Sequence, residues 1–412
     1  MLTEYGGILN ENMETSKKHM DLEAQYGARN YAPIPVVISK AKGIWVWDPE
    51  GKKYMDCLAA YSAVNQGHLH PKIIKAMKQQ SKKLTLTSRA FYNDRLGRYL
   101  KKLCEVTGFE VALPMNTGAE AVETGIKIAR RWGYRVKKVE QDKAEIITAH
   151  NNFHGRTTTI TGFSTDENAR ADYGAFTPGF KHIPFDDTKA LEEAITKNTV
   201  AFLVEPIQGE AGVIIPSEGY LKKVREICSK HNVLLITDEI QTGFCRTGKM
   251  FCFEHDNIKP DILLLGKALG GGVFPVSAAV TRKDIMDVIT PGSHGSTFGG
   301  NPLGCAIAEA SLDVHIEENL AERSAELGEY FLKKIKEIDS KHFKEVRGKG
   351  LFIAIELKKS AGKARKYTEA LKEKGLLAKE THDYTIRLAP PLVIKKEEID
   401  MALDMLRDVF SE

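Results

Sequence analysis

The chain has 412 residues, too many for a single hydrophobic core and better suited to one large domain with a smaller companion. With 42% hydrophobic and 28% charged residues, the composition excludes a disordered or fibrous chain and reads as a soluble globular enzyme. The net charge of +4 is spread over 59 basic and 55 acidic residues without a basic tract, which argues against a nucleic-acid partner and leaves small anionic substrates open.

Residues 1–48 carry too few apolar side chains to form a core alone and are expected to pack on the C-terminal part or on a partner subunit. The first thirty residues hold Glu4, Glu11, Glu14, Asp21 and Glu23 without an apolar signal core, the pattern of a cytoplasmic chain. Six cysteines stand apart without a CxxC pair, so reduced thiols are expected rather than a disulfide framework or a structural zinc site.

From 49 to 310, short β-rich runs alternate with amphipathic helical patterns. Strands are predicted over 111–115, 145–149, 200–205, 233–238, 261–265 and 276–280, and helices over 119–134 and 219–231. That alternation reads as a large α/β domain with a mostly parallel sheet, because parallel strands need crossover connections. The most apolar long stretch, 262–280, is broken by Lys267, three glycines and Pro275, which suits strand, loop and strand rather than a membrane span. After about 310 the pattern becomes a long helix over 320–338, strands over 351–357 and 385–388 and a final helix from Glu397. Residues 311–412 are therefore expected to form a smaller α+β domain.

Three features stand at the ends of predicted strands, where open α/β sheets gather their ligand sites. In Asn116-Thr117-Gly118-Ala119-Glu120-Ala121, a strand-to-helix turn offers N–H groups that suit a phosphate, although an ordinary turn reads equally well. Thr237-Asp238-Glu239-Ile240-Gln241 delivers two carboxylates into a polar turn, for which a helix cap or a solvated loop is the plain alternative. In Leu263-Leu264-Leu265-Gly266-Lys267-Ala268-Leu269-Gly270, a lysine follows an aliphatic run. Burial lowers a lysine's pKa and frees its amine for imine chemistry. A nucleotide loop is excluded, since Ala268 stands where a P-loop needs Ser or Thr.

The strings EPIQGEAG, DEIQTGFCRTG, LGKALGGG and STFGGNPLGC resemble, in order and spacing, the class III or ω-amino acid aminotransferases, over about residues 30–391. The resemblance implies the type I fold of pyridoxal-phosphate enzymes, with a homodimer whose active sites are shared between subunits. Lys267 is similar to the Schiff-base lysine, Asp238 to the carboxylate facing the pyridine nitrogen, Gln241 to the partner of the phenolic oxygen and Phe153 to the ring stacked on the cofactor. Thr117, Gly118 and Ala119 match the phosphate-binding turn, and Ser296 and Thr297 a phosphate contact from the neighbouring subunit.

Within that class, NYAPIP, YSAVNQGH and TLTSRAFYN are most similar to the members acting on ornithine. This implies transfer of ornithine's distal amine to 2-oxoglutarate. Arg156 then resembles a far carboxylate anchor and Arg387 a near anchor for glutamate's α-carboxylate. Glu210 would neutralise Arg387 when ornithine is bound, and Tyr31 and Tyr61 would shape the pocket. Acetylornithine or 4-aminobutyrate aminotransferases are the nearest alternatives, followed by an aminomutase and a cofactor-binding protein without turnover.

Other features have plain readings. His68 and His70 lack a third metal ligand at recognisable spacing, so structural roles are expected. The basic run from Arg130 to Lys138 reads as a solvated helix end. His154 stands where the family often has an aromatic residue.

Overall fold

The computed structural model describes residues 15–411; residues 1–14 and 412, and with them Glu4, Glu11 and Glu14, lie outside the described residues. At its centre is a seven-stranded sheet in the order Val111–Met115, Ser277–Thr281, Ile262–Leu265, Leu234–Asp238, Thr199–Val204, Glu145–Ala149 and Phe180–Ile183. Ser277–Thr281 is antiparallel to both of its neighbours, and the other strands all run in one direction. The exception follows from chain length, because residues 266–276 are fewer than the dozen or more that a parallel crossover needs.

Central strands of such a sheet are covered on both faces, and Leu234-Leu235-Ile236 and Ile262-Leu263-Leu264-Leu265 meet that demand with continuous aliphatic side chains, all buried. One face packs on the helix Gly118–Arg135 through Val122, Ile126 and Ala129, and the other on Tyr220–Lys230 through Leu221, Val224 and Cys228. Burying a side chain the size of Val122 or Ile126 contributes about 1.5–3 kcal/mol. The first helix begins at a capping box in which Thr117 Oγ1 accepts from the Glu120 N–H at 3.2 Å and the Glu120 carboxylate accepts from the Thr117 N–H at 2.7 Å.

The two ends of the chain come together. Strands Lys40–Lys42, Trp45–Trp47 and Lys53–Asp56 form an antiparallel meander, to which Leu376–Leu377 adds in parallel. A second antiparallel sheet has the order Phe343–Lys349, Phe352–Leu357, Thr385–Leu388 and Lys379–Thr381. One core joins Ile44 and Met55 to Phe331, Ile355, Leu388 and Leu403. By contrast, the helix Ser16–Tyr26 buries no residue against the rest of the chain. Among the described residues no helix is long and apolar enough to cross a membrane.

Two readings of the sequence change. The edge strand Phe180–Ile183 was not foreseen; it is four residues long, and Lys181 and His182 keep it half-exposed. The run from Arg130 to Lys138 is not simply solvated. Arg130 donates to the Pro178 carbonyl, Arg135 to Val288 at 3.3 Å, and Lys137 to both Thr199 and Asn232 at 2.7 Å. The helix end abuts the carbonyls of Pro178, Val288, Thr199 and Asn232, and these long cations donate to them.

Candidate active site

Five parallel strands end along one edge of the central sheet, and each hands its motif to the turn that follows. Asn116–Ala119 comes after Val111–Met115, Phe153–Arg156 after Glu145–Ala149, and Glu205–Glu210 after Thr199–Val204. Asp238 ends its own strand, and Lys267 follows Ile262–Leu265. Together they enclose a chamber of about 210 Å³ lined by Gly118, Ala119, Phe153, His154, Glu205, Asp238, Gln241 and Lys267.

Lys267 lies in left-handed backbone, with φ of 45°. For a residue with a side chain this costs about 1–3 kcal/mol, and such strain persists where the surroundings over-determine it. Removal from water pulls its amine below the ordinary lysine range, although the carboxylates of Glu210 and Asp238 oppose the shift.

Asp238 is buried and both of its oxygens are engaged: Oδ1 accepts from the Ile240 N–H at 3.0 Å and Oδ2 pairs with His154 Nδ1 at 2.7 Å. Its neighbour Glu239 turns the other way and accepts from the N–H groups of Cys252 and Phe253 at 2.5 and 2.8 Å. Burial pushes Glu239 up to about 8. The second carboxylate of this turn is therefore a strut under a neighbouring loop, and the turn is not solvated.

The capping box of Thr117 and Glu120 occupies the N–H groups of Asn116, Thr117 and Glu120, leaving those of Gly118 and Ala119 for a ligand at the helix start. Gly118 is closely covered, since an added Cβ would lie 3.1 Å from the Ile240 side chain. Glu205, for which no role was expected, joins two walls of the chamber. It accepts from the Phe153 N–H at 2.9 Å and the Gly209 N–H at 3.3 Å, and burial pushes it up to about 7. Its place at a strand end inside EPIQGEAG is the one signal that pointed to it.

Beside the chamber lies a cavity of about 440 Å³ that brings together Tyr31, Tyr61, Phe153, Arg156, Glu210 and Arg387. Arg387 comes from the C-terminal sheet, where it pairs across strands with Ala354. It is buried, and its Nη1 donates to Glu210 Oε1 at 2.8 Å, to Gln241 Oε1 at 3.2 Å and to the Gly209 carbonyl at 3.4 Å. Gln241 also donates to Glu210 Oε1 at 3.0 Å. Arg387 Nε and Nη2 have no partner among the described residues. Gly209 permits this convergence, because an added Cβ would fall 2.0 Å from Gln241 Oε1.

Tyr61 stacks over the Arg387 guanidinium at 5.0 Å. It stands in a left-handed turn in which Ala59, Ala60, Tyr61 and Ser62 all have positive φ. Asp56 Oδ1 secures the turn by accepting from the N–H groups of Leu58 and Ala59, while Oδ2 pairs with His68 at 2.8 Å. His70 pairs instead with Glu318. Arg156 is exposed at the cavity mouth and lies 5.6 Å from the Phe153 ring, and Tyr31 is 74% exposed there. Ser296 and Thr297 line neither space. Ser296 Oγ accepts from Asn116 Nδ2 at 2.8 Å beside the phosphate-type turn, and Thr297 is exposed.

A strained, half-buried lysine, a doubly held aspartate and a free helix start around one chamber, at the strand ends of an α/β sheet, define a cofactor-dependent transferase site. The family model for class III aminotransferases matches residues 26–410, and the chain belongs to that family. It is 61% identical to the ornithine aminotransferase of Brevibacillus brevis, over 93% of this chain and 96% of that protein. The solved ornithine aminotransferase from Toxoplasma gondii superposes with a TM-score of 0.96 at 47% identity, over 97% of this chain and 95% of that one. The acetylornithine aminotransferase from Elizabethkingia anophelis gives 0.88 at 49% identity, over 97% and 99%.

Proposed function

We propose that this enzyme uses pyridoxal phosphate to transfer the distal amine of L-ornithine to 2-oxoglutarate, giving glutamate 5-semialdehyde and glutamate by a ping-pong mechanism. The observation that carries the reading is the state of Arg387, whose Nη1 is shared by Glu210 and Gln241 while Nε and Nη2 stay unpartnered. A buried donor without an acceptor costs about 1–3 kcal/mol, and two on one guanidinium fit a site kept for a ligand carboxylate.

The residues present fit the cofactor. The Gly118 and Ala119 N–H groups suit its phosphate, the Phe153 ring its face, Gln241 its phenolic oxygen and Asp238 its ring nitrogen. When bound, it supplies a carbonyl carbon that takes the amine and a ring that accepts electrons from the deprotonated substrate carbon. Lys267, whose amine burial pulls below the ordinary lysine range, would meet that carbon and afterwards hold or move a proton at Nζ. Asp238 would keep a proton on the ring nitrogen by placing an opposite charge beside it.

Two amino donors use one cavity because their carboxylates fall at different distances from the reacting carbon. Glutamate places its α-carboxylate on Arg387 and its side-chain carboxylate on Arg156. Ornithine brings its α-carboxylate to Arg156 and leaves Arg387 paired with Glu210, between the walls formed by Tyr31 and Tyr61. The test is a donor panel with 2-oxoglutarate as acceptor. Ornithine should exceed acetylornithine and 4-aminobutyrate by about a hundredfold in kcat/KM. Preference for either rival donor, or an amine returned to its own substrate, would reject the reading.

The enzyme works as a homodimer with shared sites. Exposed Thr297, exposed Phe91 and Tyr92 and the unburied helix Ser16–Tyr26 support a partner surface. Mixing an inactive Lys267 variant with an inactive Thr297 variant should restore activity after subunit exchange, and two inactive parents that give no activity would contradict shared sites. The six free cysteines, five of them buried, support a reducing cytoplasmic setting.

A further inference from the structure

We propose that His154 is a positioning residue that holds the Asp238 carboxylate toward the cofactor's ring nitrogen. This rests on the role given above to Asp238. A carboxylate only accepts, so His154 Nδ1 carries the proton in the 2.7 Å contact with Oδ2, a separation typical of a charge-assisted bond. Oδ1 is taken by the Ile240 N–H at 3.0 Å, and the two bonds together fix the plane of the carboxylate.

The imidazole has no freedom to do otherwise. Its side chain is wholly buried, its ring packs against Phe163 at 6.0 Å, and Nε2 has no partner among the described residues. Two acids, Asp238 and Glu205, face it from adjacent strand ends. Burial alone would disfavour its cation, but the hydrogen bond and charge of Asp238, with Glu205 adding, raise it above the ordinary histidine range. The imidazole thus sits between two acids in the chamber wall. The same Glu205 holds the Phe153 backbone, so the ring-stacking residue and the ring-nitrogen partner share one buried support.

The variants His154→Asn and His154→Phe separate this role from simple packing. Asparagine keeps an N–H donor close to the place of Nδ1, whereas phenylalanine keeps apolar bulk and removes the donor. In the purified holoenzyme, His154→Phe should weaken cofactor retention in equilibrium dialysis by about tenfold or more and move the pH midpoint of the bound cofactor's absorbance by about one unit. His154→Asn should stay close to wild type in both, and both variants should melt cooperatively. Equal losses in the two variants, or an unchanged His154→Phe, would overturn the proposal. Asp238→Asn runs alongside. If it shifts the absorbance while His154→Phe does not, only the role of His154 fails; if neither shifts it, the role of Asp238 fails as well.

Discussion

The two spaces at the strand ends are built on opposite terms. In the cofactor chamber the polar groups are held from behind: Asp238 by Ile240 and His154, the Phe153 backbone by Glu205, and the helix start by its capping box. The neighbouring cavity leaves donors open, with Arg387 Nε and Nη2 unpartnered and both Arg156 and Tyr31 exposed. A cofactor that is always the same rewards fixed partners, because preorganised groups need no rearrangement during reaction. Two substrates of different length require a cavity whose charges re-pair.

Substitutions in the chamber should therefore damage both half-reactions alike. Lys267→Ala is expected to lower turnover with ornithine and with glutamate by about 10³-fold or more, since in the proposed mechanism it removes both the amine and the proton carrier. Single-turnover absorbance with each donor checks this, and near-normal rates with either would break the assignment of the chamber. Substitutions in the cavity should discriminate. Arg387→Lys keeps the charge but loses the planar fork, so glutamate should lose about a hundredfold in kcat/KM while ornithine loses about tenfold or less. Equal losses would erase the distinction between the two spaces.

The contrast also explains what the sequence made legible. The large sheet followed from aliphatic runs such as Leu234–Ile236, and its predicted strands agree with the observed ones to within a residue at each end. Lys267 and Asp238 stood out because each stands one residue beyond such a run. The supports did not, since they are made by pairing across distance. His154 and Asp238 are 84 residues apart, and Phe153 and Glu205 are 52 apart. Nor did the left-handed turn at Ala59–Ser62 show itself, because no glycine marks it and Asp56 secures it from outside. Glu239 read as a second carboxylate in the polar turn, yet it lies on the opposite side from Asp238 and accepts from the Cys252 and Phe253 N–H groups.

The Glu210 to Arg387 pair predicts a smaller, pH-dependent effect. Burial would raise the Glu210 carboxyl, but the charge and hydrogen bond of Arg387, with Gln241 and Lys267 adding, hold it below its ordinary 4.5. A depressed acid stabilises the fold above its unfolded value, and that contribution is lost as pH falls through the folded one. The difference in Tm between wild type and Glu210→Gln should be constant from neutral pH down to about 4.5 and shrink below it. A difference that grows on acidification would mean the pair is not an ion pair.

The most direct test is the single-turnover rate of Glu210→Ala with each amino donor, because steady-state values mix the two halves of the reaction. Without Glu210, Arg387 stays charged and unpaired where ornithine presents its distal ammonium, and like charges repel. The ornithine half-reaction should slow by about ten- to a hundredfold relative to the glutamate half-reaction, corresponding to about 1–3 kcal/mol for a partly exposed pair. If both donors slow by the same factor, Glu210 is only a structural partner of Arg387, and the re-pairing account of dual specificity is wrong.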